Sequence, residues 1–522
     1  MTSISVGGTF QKILSVGCRG GGATGSPVAY LFAHLNGRLS LASVIAAIFM
    51  MQAPINSAAH ASTIRITPIF NVSESYTDNV RAVAEGAEAD LITETTAGVT
   101  VTADGNRLDL NLDLAAARDQ YLDTDGLNGT RPEIIGISSA ELFKDHFFLD
   151  TSVSMSEVSS SRDGAIGATD RTLPSNRTSL LLFEISPRFE YRFGRWLEAT
   201  LQYDISQSRF SRPSAGDRTS TPSDDEKTDR VSLILDTGEK FTQIDSQLEV
   251  LSEDTKRGSR GKLSEDRIDL VNEYRINRMI GLIARGGYED VSDADDSLAS
   301  KGLTWALGTH LQPGPRFDFR TEIGRRFGGS NVSATLDYEI SSFYVLNASF
   351  TQSVETQQSS RLNRLNRLVT GPDGRLIDPF TGTFRDPESS NFDLDGGSFK
   401  EDSFSLGLTG TRGRNTVSLA VDLSNRESSN STLKEEHLDV NLNLSRRMQP
   451  KLTGQLGLGY SDILSSSAAS SGGAHYDGNV GLNYRLGETF TSSLEYSYLR
   501  RTLSSDDVTS ENVVTLGLQA SF

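Results

Sequence analysis

Glu511-Asn512-Val513-Val514-Thr515-Leu516-Gly517-Leu518-Gln519-Ala520-Ser521-Phe522 closes the chain. Counted back from the end, Phe522, Ala520, Leu518, Leu516 and Val514 fall on one side. Ser521, Gln519, Gly517 and Thr515 fall on the other. A β-strand places alternate residues on opposite faces, so the stretch reads as a strand with one apolar face. It ends on an aromatic residue with no charged tail. A soluble sandwich accounts for one such strand. Whether the pattern repeats upstream, and with what turn lengths, decides between a sandwich and a larger closed sheet.

The period recurs along most of the chain. Leu108, Leu110, Leu112 and Leu114 alternate with Asp109, Asn111 and Asp113. Ile64, Ile66, Phe70 and Val72 alternate with Arg65, Thr67, Asn71 and Ser73. From Ser62 to Phe522 the alternation predicts about 22 strands (20–24), an even number as in bacterial barrels. Most run roughly 10 to 14 residues, whereas soluble strands average roughly five or six and a tilted membrane-crossing strand needs ~9–11. The connections alternate between tight, as at Asp104-Gly105, Gly194-Arg195 and Gly487-Glu488, and long, as at 159–176, 211–226, 253–263, 291–300 and 356–400. Short turns on one side and long loops on the other are the pattern of an up-and-down membrane barrel. Only the Arg326–Asn331 connection is expected to be short on the long-loop side.

The predicted fold is therefore an all-β, transmembrane, up-and-down antiparallel barrel over 62–522, in a Gram-negative outer membrane. Its apolar set would face lipid. Arg188, Glu190, Asp269, Glu273, Asp318, Glu322 and Asp439 would line the lumen, where charge avoids the cost of the lipid face. Phe193, Trp196, Phe317, Phe343 and Tyr344 are candidates for one interfacial belt, and Tyr203, Tyr288, Tyr460 and Tyr498 for the other. The final strand is similar to those of outer-membrane barrels, which end in Phe. That likeness implies an assembly signal in Val514, Leu516, Leu518 and Phe522, read by the barrel assembly machinery.

The front of the chain has a different character. Residues 1–38 are rich in Gly and Ser, without an acidic residue. Arg38 precedes the apolar run Leu39–Met51, and Ala59-His60-Ala61 follows. Basic, apolar and then small residues are the order of a secretory signal, so 1–61 reads as a leader cleaved after Ala61. Cys18, the single cysteine, would leave with it, and no disulfide is expected. Removing three of the 50 basic residues and none of the 68 acidic ones leaves a net charge of −21, which argues against a nucleic-acid partner. Strand one begins just after the cleavage site, which leaves no room for a plug domain.

Chemistry-bearing motifs are sparse. There is no Walker loop, dinucleotide fingerprint or His-Glu-x-x-His, and neither a cofactor nor a catalytic site is expected. His437 and His475 would point inward near the outer rim, two strands apart, with serines nearby, a faint hydrolase dyad. Asp290, Asp293, Asp295 and Asp296 form an acidic run able to attract calcium, without EF-hand spacing. In the 356–400 loop, Arg361, Arg364 and Arg367 recur every third residue. Arginine facing acidic walls would hold this loop in the lumen as a constriction. Equally, it would contact anionic sugar or lipopolysaccharide, and a surface loop is the plain alternative.

Ser73-Glu74-Ser75-Tyr76-Thr77-Asp78-Asn79-Val80, then Asp104-Gly105-Asn106-Arg107 with the leucine strand, then Phe148-Leu149-Asp150-Thr151 together resemble the PEP-CTERM-system-associated outer-membrane barrels, within the wider β-barrel porin group. The resemblance is specific over about 73–155. It implies a barrel linked to exopolysaccharide export, and it supplies no catalytic residues. The expected function is a passive conduit for exported polysaccharide or small hydrophilic solutes. A structural or adhesive barrel binding surface polysaccharide is the alternative, and an outer-membrane hydrolase the third reading.

Overall fold

The structure is a computed structural model. It describes residues 63–159, 166–172, 177–211, 225–258, 261–293, 298–370, 376–378, 398–428, 434–466, 473–502 and 507–522. The predicted leader and its cleavage after Ala61 lie outside these residues. The strands are β1 (Thr63–Thr77), β2 (Asp90–Gly105), β3 (Leu108–Tyr121), β4 (Gly129–Phe143), β5 (Phe147–Ser159), β6 (Arg177–Phe193), β7 (Leu197–Ser211), β8 (Glu226–Thr237), β9 (Ile244–Arg257), β10 (Lys262–Arg275), β11 (Ile280–Asp293) and β12 (Ser300–Gly314). They continue as β13 (Phe317–Arg326), β14 (Gly329–Ser341) and β15 (Tyr344–Thr356). Helix α1 (Gln357–Asn366) and a hairpin of β16 (Val369–Thr370) and β17 (Leu376–Ile377) follow. The ring resumes with β18 (Ser398–Arg412), β19 (Asn415–Ser428), β20 (Lys434–Gln449), β21 (Leu452–Ser466), β22 (His475–Arg485), β23 (Phe490–Thr502) and β24 (Val508–Ser521).

Each of the 22 ring strands pairs antiparallel with the next, and β1 pairs with β24 from Ile69↔Ser521 to Thr77↔Val513. The ring is closed, which leaves no sheet edge running along the wall. The seam is held by the residues that carried the family resemblance. Ser75 and Thr515 share a hydroxyl hydrogen bond of 2.9 Å, and the Thr77 hydroxyl donates to Glu511 at 2.7 Å. The backbone and side-chain amides of Asn512 donate to Asp78 at 2.8 and 2.7 Å. At the other end Phe522 N–H donates to Pro68 O, and the Phe522 ring meets Phe490 edge-on.

The strands are longer than the sequence reading expected, up to 17 residues in β6. The excess lies at the long-loop end. The segment expected as a loop at 253–263 is mostly strand, because β9 runs on to Arg257 and β10 starts at Lys262. Its polar run Glu253-Asp254-Thr255-Lys256 lacks the one-sided pattern. A backbone ladder does not need that pattern once both faces are polar. The Arg326–Asn331 connection is a tight turn in which Phe327 and Gly328 both take positive φ, 52° and 70°, the geometry of a two-residue hairpin.

Outward residues are apolar and exposed, among them Ile66, Leu303, Leu307, Ile323 and Leu516. The belt at the short-turn end is present: Phe193, Trp196 and Phe343 are exposed, with ring pairs Tyr191–Phe193, Trp196–Phe241 and Phe317–Tyr338. The opposite face carries the charges. Arg267 meets Glu249 at 3.1 Å, Arg285 meets Glu322 at 2.9 Å, and Arg426 meets Glu401 at 2.8 Å.

Candidate functional site

The lumen is the candidate site, and its outer mouth is where segments leave the wall. β15 ends at Thr356, which caps α1. The Thr356 hydroxyl accepts from Ser359 N–H at 3.1 Å, and Ser359 Oγ accepts from Thr356 N–H at 2.9 Å. This reciprocal box starts the helix at a defined residue. From there α1 runs inward. Leu362, Leu365 and Leu368, with Leu376 of the hairpin, pack on the inward-facing Val158, Leu180 and Leu182 of β5 and β6. Asn366 accepts from Ser152 and donates to Glu184, both at 2.7 Å. β5 and β6 stand nearly half-way round the ring from β15, so α1 lies across the lumen.

The rim itself is drawn in. Thr356 and Ser398 are opposite residues on β15 and β18, and Glu226 and Arg257 are opposite residues on β8 and β9. The two pairs meet across the lumen. Thr356 donates to Glu226 at 2.6 Å, and Arg257 donates to Ser398 at 3.1 Å. Asp293 of β11 accepts from both Arg257 and Ser398. A round ring of 22 strands spaced ~4.8 Å would be more than ~30 Å across. Direct side-chain bonds between walls seven strands apart therefore require a flattened mouth.

A second inward segment sits against β1–β4 and β24. Ala168 N–H donates to Glu511 at 2.7 Å, and Arg171 reaches Glu94 at 3.2 Å. The Tyr121 hydroxyl donates to Arg171 O at 2.6 Å. Beneath it Arg131 holds Glu94 and Asp119, each at 2.7 Å. Val80 of the first outer connection is buried with Ile92, Tyr121 and Leu127. Loops from several points on the rim thus converge in the mouth.

The expected site residues divide. Arg361 is buried and Arg367 is mostly exposed, 4.0 Å from Asp378. Arg361 turns into the protein and Arg367 out of it, so the series does not form one anion-binding face. What seats the loop is its leucine series, at the same spacing, which the sequence reading passed over. Asp290 and Asp293 point to opposite faces of β11, Asp290 to Lys301 and Asp293 to Arg257. Strand alternation therefore rules them out as joint calcium ligands. Asp295 and Asp296 lie outside the described residues. Val514, Leu516 and Leu518 are exposed on the outer face, as read from sequence. His475 stands directly across the β21–β22 ladder from Ser461. His437 has its Nδ1 3.1 Å from Asp439 and its Nε2 3.1 Å from the same Ser461 hydroxyl.

A closed antiparallel ring, apolar outside, charged inside and belted with aromatics, defines the chain as an outer-membrane β-barrel protein. No family model and no curated protein matches the chain. Among solved structures, the siderophore receptor PirA from Pseudomonas aeruginosa aligns over 89% of this chain and 81% of its own, with 10% identity and a TM-score of 0.44. The FrpB iron transporter from Neisseria meningitidis (F3-3 variant) aligns over 87% and 81%, with 10% identity and a TM-score of 0.48.

Proposed function

We propose that the protein is a passive conduit for hydrophilic solutes whose outer mouth is closed by its own loops. The observation that carries this reading is α1, seated by an apolar face on the inner wall opposite the strand it leaves. A surface adhesin has no need to send a helix across its lumen, whereas a conduit needs a closure. The acid-rich chain and its carboxylate-lined wall favour cations. In planar bilayers under a salt gradient, the expected result is rare single-channel openings with a reversal potential on the cation side. Anion selectivity contradicts the reading of the wall. A folded barrel that stays silent even without α1 contradicts the conduit and favours the structural or adhesive role. The link to exopolysaccharide export rests on the resemblance over 73–155.

The terminal strand supports a second proposal, that the assembly machinery reads Phe522. Its ring is exposed and contributes one edge contact to the fold, so its loss costs the folded barrel about 1 kcal/mol or less. Phe522→Ala, which keeps the backbone bond to Pro68, is expected to lower the amount of barrel in the outer membrane several-fold, with the urea midpoint of the purified barrel nearly unchanged. Equal outer-membrane amounts would rule the signal out.

A further inference from the structure

The lumen wall near the outer rim carries a constellation that conduction does not use. Asp439 on β20 stands directly opposite Ser461 on β21. In the same unbroken register His437 stands opposite Ile463, one inner-face position nearer the rim. The imidazole therefore comes between its two neighbours, with Nε2 3.1 Å from Ser461 Oγ and Nδ1 3.1 Å from Asp439 Oδ2. A serine needing only a hydrogen-bond partner has a carboxylate directly across the ladder. Here an imidazole, turned nitrogen for nitrogen, stands between the two. Hydroxyl to Nε2 and carboxylate to Nδ1 is the order that makes a serine a nucleophile. His437 and Ser461 are 3% and 4% exposed, so little water competes.

We infer that Ser461, His437 and Asp439 form an esterase site on the lumen wall, with Ser461 as nucleophile, His437 as base and Asp439 orienting it. The substrate class follows from placement. The site faces the lumen, so a lipid embedded in the membrane does not reach it and the ester is water-soluble. The next inner-face position on β21, Gly459, is covered by Asp477, within 2.1 Å of where a Cβ would stand. Asp477 fills the wall on that side of Ser461, and the acyl group that fits beside it is small, of acetyl size. Ser461 Oγ adds to the ester carbonyl while His437 Nε2 takes its proton. The C–O bond to the alcohol breaks and that oxygen receives the proton. Water then adds to the acyl-serine through the same base, releasing the carboxylic acid and restoring the serine.

The test uses protein extracted folded from outer membranes, with a fluorescent fluorophosphonate and p-nitrophenyl acetate as probes. We expect label on Ser461, no label in Ser461→Ala, and hydrolysis at least ~100-fold slower in Ser461→Ala and His437→Gln. His146→Ala, in the short turn between β4 and β5 at the opposite end of the barrel, should keep the wild-type rate within about twofold. Asp439→Asn should slow labelling of Ser461 while leaving the barrel folded. Heat-modifiable migration confirms that each variant is folded. Failure of folded wild-type protein to take label overturns the inference, as does equal labelling of Ser461→Ala. Neither outcome bears on conductance, so the conduit and the esterase stand or fall separately.

Discussion

A barrel lacking residues 357–397 should conduct steadily, at roughly ten times the time-averaged current of the intact chain under the same voltage. The deletion removes α1 and its hairpin but keeps Thr356 and Ser398, the opposed residues that end β15 and begin β18. A short turn can therefore close the hairpin without disturbing the ladder. A ten-residue helix occupies a cylinder about 15 Å long and ~10 Å wide. Lying across the lumen, that volume stands in the path of a solute. The deletion also uncovers Val158, Leu180 and Leu182 on the inner wall. A modest loss of stability should accompany the gain in current, and the urea midpoint would show it. Equal current in the two proteins would place the constriction elsewhere, with the segment 166–172 the next to remove.

Substituting Arg257 should have the largest effect on stability. Its side chain is 1% exposed and lies against Asp293, whose side chain is fully buried, and it also donates to Ser398. In Arg257→Ala the Asp293 carboxylate stays buried without its cation, an arrangement that costs about 3–5 kcal/mol. The same substitution unties β9 from β18, so the rim should relax toward a rounder section. The expected result is a lower urea midpoint together with more frequent channel openings, α1 being still present. The paired variant Arg257→Met with Asp293→Leu removes both charges, and it should recover most of the lost stability because no lone charge is left. Opening frequency should stay high in the pair, since the Arg257–Ser398 tie across the mouth is still missing. A wild-type midpoint in Arg257→Ala would mean that this contact does not hold the mouth together.

The two variants ask different questions of one structure. Removing α1 tests what fills the mouth, and removing Arg257 tests what narrows it. A conduit closed by its loops should respond to both. An adhesive barrel with a sealed lumen should lose stability in the second and gain no current in either.

Much of the architecture was legible in the residues. Period-two alternation, turn spacing and strand length led to a closed ring of about 22 strands, and the structure has 22. Each of those signals is local. A strand's lipid face and lumen face differ in polarity at every second residue, so the wall's inside and outside can be read one strand at a time. The ends of the strands were less legible. At the outer rim both faces are polar, as in Glu253–Lys256, and the alternation that marks a strand is lost although the ladder continues.

The mouth was not legible, for a different reason. Leu362, Leu365 and Leu368 sit in a polar loop, and nothing nearby in the chain says what they cover. Their partners Val158, Leu180 and Leu182 lie more than 150 residues earlier and are brought opposite only by closure of the ring. The same holds for Glu226 with Thr356 and Arg257 with Ser398. It holds on a smaller scale for His437, whose partner Ser461 was set by the register of β20 against β21. The sequence alone determined that this chain is a barrel of about 22 strands and which face of each meets lipid, because those properties rest on short-range periodicity and on solvent. Only the tertiary structure decided what stands inside the barrel. Contacts across a lumen depend on ring order and register, which bring together residues with no local signature of one another.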